Sequence, residues 1–323
     1  MIKRLSSFLN NDWAGPLLFI LIGGGIITAL KPSFLSAFNI QILLLAISVN
    51  AIIALSQMII IAIGQMNLAV GAIGGLAAIS FAGLMQVFAL PPILAAIIAL
   101  AIGLFGGIAN GYIIARTGIS AFVITLASLS IFKGINLGIT RAQPFYGVPE
   151  SVKAFGNTVL IDPIPWLALP MIIAVILVYY LLTRQRIGRY ILAVGGNAHA
   201  AELSGISVNI VVITAHAISG LLAALAGVML VARLQQGLPS IGDDWLILSF
   251  AAPVIGGAVL AGGHVSVAGT VFGVIIVAII TQALVLFEID PFLVQIVLGG
   301  LILWAVGVNS FREVRVNKML KRI

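Results

Sequence analysis

Long apolar runs follow one another along almost the whole of this chain, near residues 14–30, 40–63, 70–90, 92–115, 120–140, 165–183, 210–232, 246–260, 267–286 and 291–309. About 20 mostly apolar residues, wound as a helix, cross the hydrocarbon core of a bilayer. Composition agrees: 62% of the residues are hydrophobic and 8% charged, whereas a soluble domain carries about 25% charged residues. So few charges cannot cover a globular surface. The expected fold is therefore all-α and polytopic, one transmembrane domain over residues 1–323 with about ten helices. Nine or eleven spans also fit, because 246–260 is short and 70–90 opens on a Gly-rich break, so either could be a half-helix.

The start, MIKRLSSFLNNDWAGPLLFILIGG, places a basic end before an apolar run. No convincing small-residue cleavage site follows, so it reads as an uncleaved first span rather than a signal peptide. Loop charges then set the orientation, since Lys and Arg concentrate on the cytoplasmic side. With the N-terminus inside, Lys3, Arg4, Arg116, Arg184, Arg186, Arg189, Arg312, Arg315, Lys318, Lys321 and Arg322 fall on that side. Lys31, Arg141, Lys153 and Arg233 fall on the other, eleven against four, with Lys133 inside a span. Both termini are thus expected in the cytoplasm, with 141–164 a periplasmic loop and 184–209 the longest cytoplasmic one. The net charge of +7 is then a matter of membrane orientation. Lipid, not nucleic acid, is the expected partner. A faint echo between GLFGGIANGYIIAR (103–116) and GLLAALAGVMLVAR (220–233), with five identities in fourteen positions, leaves an inverted repeat open.

The chemistry present is sparse. Cysteine is absent, and His199, His216 and His264 have no helix-spaced partner, so neither a thiolate site nor a metal site is expected. No Gly-x-x-x-x-Gly-Lys-Ser/Thr segment occurs, so no ATP-binding loop and no enzymatic activity are expected of this chain. Ionisable residues within spans are the default functional suspects. Lys133, in AFVITLASLSIFKGINLGIT, is the one clearly mid-span. It reads either as a pathway or gate residue or as a snorkelling, carbonyl-paired structural lysine, and the second reading is preferred because an isolated base makes no relay. The spans hold no carboxylates, which counts against a proton- or sodium-coupled carrier. In IGQMNLAVGAIGGLAA (63–78), Asn67 is placed to cap a helix start. That broken region either borders a solute path or packs helices closely through small residues. Gly256 and Gly257, in APVIGGAVLAGGHVSVAGTVFGV (252–274), invite the same two readings.

Within the longest cytoplasmic loop stands IGRYILAVGGNAHAAELSGISV (187–208). Gly195 and Gly196 suggest a turn, Asn197 an N-cap, AHAAELS a short helix, and Gly205 the left-handed residue that ends it. Such a capped helix, in a chain with no motor of its own, reads equally as a docking element or as a solvated connector.

At this loop the chain resembles the ribose-type sugar permeases of bacterial ABC importers, through Gly-Arg-Tyr, Gly-Gly-Asn, the paired alanines and Leu-Ser-Gly-Ile. NLAVG (67–71), SGLLAALAGVMLVARL (219–234) and VIGGAVLAGG with the following SVAGT (254–270) agree in order. The resemblance implies an inner-membrane importer subunit paired with a second permease copy or a paralogue, and a sugar-like solute as cargo. It implies a separate ATPase subunit binding ATP and Mg below, and a periplasmic binding protein above. It also implies an ATPase-coupling role for Gly188, Arg189, Gly195, Gly196, Asn197, Ala200, Ala201, Leu203, Ser204, Gly205 and Ile206. The chain departs from the family pattern where Asn67 replaces an acid, Ala69 a hydroxyl, and Val259 the usual Ser. A branched-chain amino acid or nucleoside ABC permease is the runner-up, and a self-contained secondary carrier stands behind it.

Overall fold

The computed structural model describes residues 14–290 together with Leu293, Ile296, Val297, Gly299, Gly300, Leu303 and Gly307. The helices are α1 (Ala14–Leu30), α2 (Ala37–Ala62), α3 (Val70–Phe88), α4 (Pro92–Thr117), α5 (Ala121–Thr140), α6 (Glu150–Asn157), α7 (Ala168–Arg184), α8 (Arg186–Gly196), α9 (Ala198–Leu203), α10 (Val208–Leu234), α11 (Trp245–Ile255) and α12 (Val267–Leu286). A short antiparallel hairpin pairs β1 (Val159–Ile161) with β2 (Ile164–Pro165). The fold is all-α and polytopic, as its composition requires. Among the described residues, six helices are long and apolar enough to cross a membrane, and α7 with α8 makes a seventh if that bent pair is one span. The apolar run at 246–260 shortens to the 11 residues of α11, and α1 has 17. The run at 291–309 lies outside the described residues apart from the few named, as do the charges of both chain ends.

Two helices form the centre. Residues 51–62 of α2 are buried without exception, and α10 packs against α2, α3 and α4. Close approach here depends on small residues, the usual device where lipid supplies no hydrophobic drive between helices. A Cβ at Gly107 would overlap the His216 carbonyl, and one at Gly220 would overlap the Gly103 carbonyl. The helices that carry the two echoing segments, α4 and α10, are therefore antiparallel packing partners, and the segments meet at their first residues, Gly103 and Gly220. That puts Arg116 and Arg233 at opposite ends of the bundle.

Among the described residues, two unwound segments run back into the bundle. Residues 63–69 link α2 to α3, and residues 235–244 link α10 to α11. The second segment doubles back along α3: Gly237 lies at Ala82, the Ile241 carbonyl at Gly75 and the Gly242 carbonyl at Gly71. Long span, unwound segment and following helix thus occur twice with opposite chain direction, the arrangement of an inverted repeat. Asp243 and Asp244, which in sequence look like part of a loop beyond the span, are carried inward on this re-entrant segment.

The 141–164 connection is more ordered than a loop. It holds α6 and the hairpin, and it is tied to the bundle by the Phe145–Gly237 bridge and by Gly147 N–H donating to Gln86 Oε1 at 2.7 Å.

Candidate functional site

Two features concentrate the polar chemistry of the chain. One is the projecting element from α8 to Ile206; the other is the pair of unwound segments inside the bundle.

The projecting element begins at a corner. Gln185 takes extended geometry (φ −84°, ψ 149°) and turns α8 through 71° from α7. Gly188 makes the corner tight, because a Cβ there would overlap the Leu181 carbonyl. Arg189 Nη1 donates to the Arg184 carbonyl at 3.2 Å, satisfying a backbone group at the end of α7. Gly188, Ile191 and Val194 recur on one face of α8 and are buried, while Arg189 and Tyr190 stay exposed. The helix therefore lies flat along the end of the bundle.

The pair Gly195–Gly196 is not the turn its sequence suggests. Both residues belong to the last turn of α8. Gly195 is there for contact: a Cβ would overlap the Ala62 carbonyl at the end of α2, the same carbonyl that accepts from Gly263 N–H at 3.0 Å. Gly262 closes the junction, since its own Cβ would approach Gly64 N and Gly195 O within 2.7 Å. Gly64, Gly262 and Gly263 all hold positive φ (71°, 96° and 80°). The end of α2, the end of α8 and the α11–α12 connection are thereby locked together.

From this lock the short helix α9 projects. Asn197 caps it, its Oδ1 accepting from Ala200 N–H at 2.9 Å. Ala201 N–H donates to the Asn197 carbonyl at 3.0 Å, and Ser204 Oγ donates to the Ala200 carbonyl at 2.9 Å. At the C-terminus Gly205 has φ +81°. Gly205 N–H donates to the Glu202 carbonyl at 2.9 Å and Ile206 N–H to the Ala201 carbonyl at 3.0 Å. These two bonds are a Schellman closure, and Ile206 packs on the core cluster that contains Ala201. Ala201 is the buried residue of α9, whereas Leu203 is 78% exposed. An apolar side chain is thus displayed on a rigid, doubly closed turn of helix.

Inside the bundle, Asn67 is fully buried and does not cap α3 as its position suggests. The helix starts at Val70, and Asn67 Oδ1 accepts from Ala69 N–H at 2.9 Å, closing a local turn that ends the unwound segment. Its Nδ2 donates to Ser219 Oγ at 3.2 Å, and Ser219 meets Ser56 at 3.0 Å. With its amide nitrogen toward the Asn67 carbonyl, Gln57 donates there at 3.0 Å and accepts from Asn67 N–H at 3.2 Å. Thr125 Oγ1 accepts from Leu68 N–H at 3.1 Å. Backbone groups that the helix break leaves open are thus met by buried side chains, a need made acute by the absence of water in a bilayer core. Nearby, His216 Nε2 and Gln65 Oε1 lie 3.0 Å apart. A cleft of about 510 Å³ opens between residues 64–66, 114–122 and 208–212.

Lys133 is both carbonyl-paired and ion-paired. Its Nζ donates to the Pro239 carbonyl at 2.9 Å and to Asp243 Oδ1 at 2.5 Å. Asn136 Nδ2 donates to the same Pro239 carbonyl at 3.3 Å. Gly256 and Gly257 belong to the turn after α11: a Cβ at Gly256 would overlap Gly269, and Gly257 holds φ +89°. Packing and turn geometry, the blander of their two readings, describe them. The four pathway candidates therefore fall in three separate places. Sequence reasoning missed Gly64, Gly195's distant partners Gly262 and Gly263, and the set Pro239, Asp243 and Asn136. The turn-rich GLPSIGDD (237–244) before a shortened span was the available signal for the last of these.

A sequence profile described as the branched-chain amino acid transport system / permease component matches residues 39–306. The ribose import permease protein of Bacillus subtilis is 35% identical over 90% of this chain and 91% of its own length. The D-allose transport system permease protein of Escherichia coli K12 is 35% identical over 92% and 91%. The fructose import permease protein of Rhizobium meliloti is 31% identical over 96% and 89%. No solved structure matches the chain. With one family profile covering most of the chain and relatives of this identity along nearly all of it, the chain belongs to the branched-chain amino acid transport system / permease component family.

Proposed function

We propose that this chain is the transmembrane subunit of a binding-protein-dependent ABC importer that moves a sugar or sugar-like solute across the bacterial inner membrane. In this reading ATP and Mg are bound by a separate ATPase subunit, and a periplasmic binding protein delivers the cargo. A second permease copy or a paralogue completes the channel. Both termini and residues 184–209 face the cytoplasm, and 141–164 the periplasm. The observation that carries the reading is α9, capped by Asn197, closed at Gly205, anchored through Gly195 to the ends of α2 and α8, and displaying Leu203. A helix can pass motion from a docked motor to the spans when both of its ends are fixed, and these are. The sugar assignment is supported by the names of the relatives, two of them import permeases for ribose and fructose and one a D-allose transport system permease.

The test is reconstitution of the chain with its cognate ATPase and binding protein. Uptake of ribose, allose, fructose or galactose that requires ATP is expected. Uptake of leucine, isoleucine or valine in place of all four sugars would make it an amino acid permease. Uptake without any ATPase would make it a self-contained carrier.

A further inference from the structure

The Ile241 and Gly242 carbonyls rest against Gly75 and Gly71, in the first two turns of α3. From Gly71 to the far end of α3 at Phe88 is about 25 Å, at ~1.5 Å per residue. That far end is joined to the 141–164 connection through Gln86 and Gly147. Lys133, which pairs with Asp243, lies about 18 Å from the start of α5 and about 10 Å from its end at ~1.5 Å per residue, so in a hydrocarbon core ~30 Å thick this pair lies inside the bilayer. Yet Asp243 and Asp244 are on the surface of the chain: the Asp243 side chain is 55% exposed, that of its partner Lys133 28%, and Asp244 is exposed as well. Two carboxylates and an ammonium at this depth are strongly disfavoured against acyl chains. Unwound backbone at such depth is tolerated where protein buries it or where it lines a water-filled cavity, and the exposed side of 243–244 is not buried by this chain. Beside it, the Oδ1 of Asn136 has no hydrogen-bond partner although the residue is 1% exposed.

We propose that Lys133, Asp243 and Asp244 line a water-filled path through the bilayer and contact a neutral, hydroxyl-rich solute as it passes. The cargo class rests on the importer reading; the path assignment rests on depth and exposure alone. Lys133 offers donors and the two carboxylates offer acceptors. A hydroxyl does both, so a polyol exchanges with water along this edge without breaking the Lys133–Asp243 pair. A zwitterion would compete with both members of that pair. An anion would meet the net negative charge left by Asp244.

Two measurements test this. The chain has no cysteine, so Asp243→Cys, Asp244→Cys and the apolar-face control Leu177→Cys can be reacted with a water-soluble methanethiosulfonate in the assembled importer. Asp244→Cys leaves the ion pair intact, which keeps the test open should Asp243→Cys fold poorly. Reaction at 244 at least tenfold faster than at 177 is expected, and equal rates overturn the path. The second measurement is uptake by the exchanged variant Lys133→Asp/Asp243→Lys, using whichever of ribose, allose, fructose and galactose the unmodified importer accumulates. The exchange should restore the folded yield lost in Lys133→Leu, while uptake stays at least tenfold lowered because donor and acceptor have changed places. Full recovery of both makes the pair a structural tie and overturns solute contact. An unmodified importer that accumulates none of the four sugars overturns the functional reading instead, and the thiol rates still decide the path.

Discussion

Gly195 and Gly196 are neighbours in one helical turn, yet the fold asks different things of them. A side chain at 195 would collide with the Ala62 carbonyl, while one at 196 meets nothing within 4 Å. Gly195→Ala must push the end of α8 off α2 or break the Gly263 N–H bond to Ala62. Either route costs about 1–3 kcal/mol, the usual scale for overpacking or for a lost buried hydrogen bond. Gly196→Ala should be neutral or mildly stabilising, because alanine is about 1 kcal/mol better than glycine inside a helix. Melting temperatures of the two detergent-purified variants check this, and equal shifts would mean that the three-way lock does not carry load. The contrast also marks a limit of the sequence. Two adjacent glycines before an asparagine look like a turn, and what separates them is a carbonyl more than 130 residues away in the chain.

At the scale of the element, α9 was legible because its signals are local. Asn197 three residues ahead of the N–H it accepts from, and a glycine two residues past the last helical one, lie within a nine-residue window and need no tertiary partner to be recognised. The same reasoning misplaced Asn67, whose surroundings are set by Ser219 and Gln57 on other helices. For α9 the consequences are graded. Asn197→Ala loses the cap at about 1 kcal/mol. Gly205→Ala forces a side chain into positive φ at about 1–2 kcal/mol. Ala201→Pro removes the N–H bonded to the Asn197 carbonyl at about 3 kcal/mol or more. Leu203→Ala should leave the fold untouched, since Leu203 is exposed, but weaken capture of the ATPase subunit if α9 is its docking helix. Co-purification of the ATPase with each variant, set against the amount of permease in the membrane, reads both effects. Loss of ATPase in proportion to the predicted helix damage, with Leu203→Ala weakened at full permease yield, is the expected pattern. Undiminished capture by all four variants reduces α9 to a connector.

At the scale of the whole molecule, hydropathy reveals where the chain enters the bilayer but not where it turns round inside. Runs such as 40–63 and 210–232 are long and uniform, and they became α2 and α10 nearly end to end. Residues 235–244 carry Gly, Pro, Ser and two Asp, so by composition they belong in water. The fold instead holds them against α3 through backbone carbonyls and glycines, contacts to which hydropathy is blind. The proposed orientation rests on a different property of the same chain, the placement of its cations. Among the described residues, Arg116, Arg184, Arg186 and Arg189 gather at the end that bears α8 and α9, whereas Lys31, Arg141, Lys153 and Arg233 lie at the end that bears α6. The described portion alone divides evenly, four against four, so the bias rests on the basic residues of the two chain ends. The prediction is correspondingly sharp. Ser151→Cys on α6 and Gln185→Cys at the α7–α8 corner are both exposed positions in a cysteine-free chain. An impermeant maleimide should label position 151 in intact spheroplasts and position 185 only after permeabilisation. The reverse pattern would turn the molecule over in the membrane and put α9 on the side without ATP, where no ATPase could reach it.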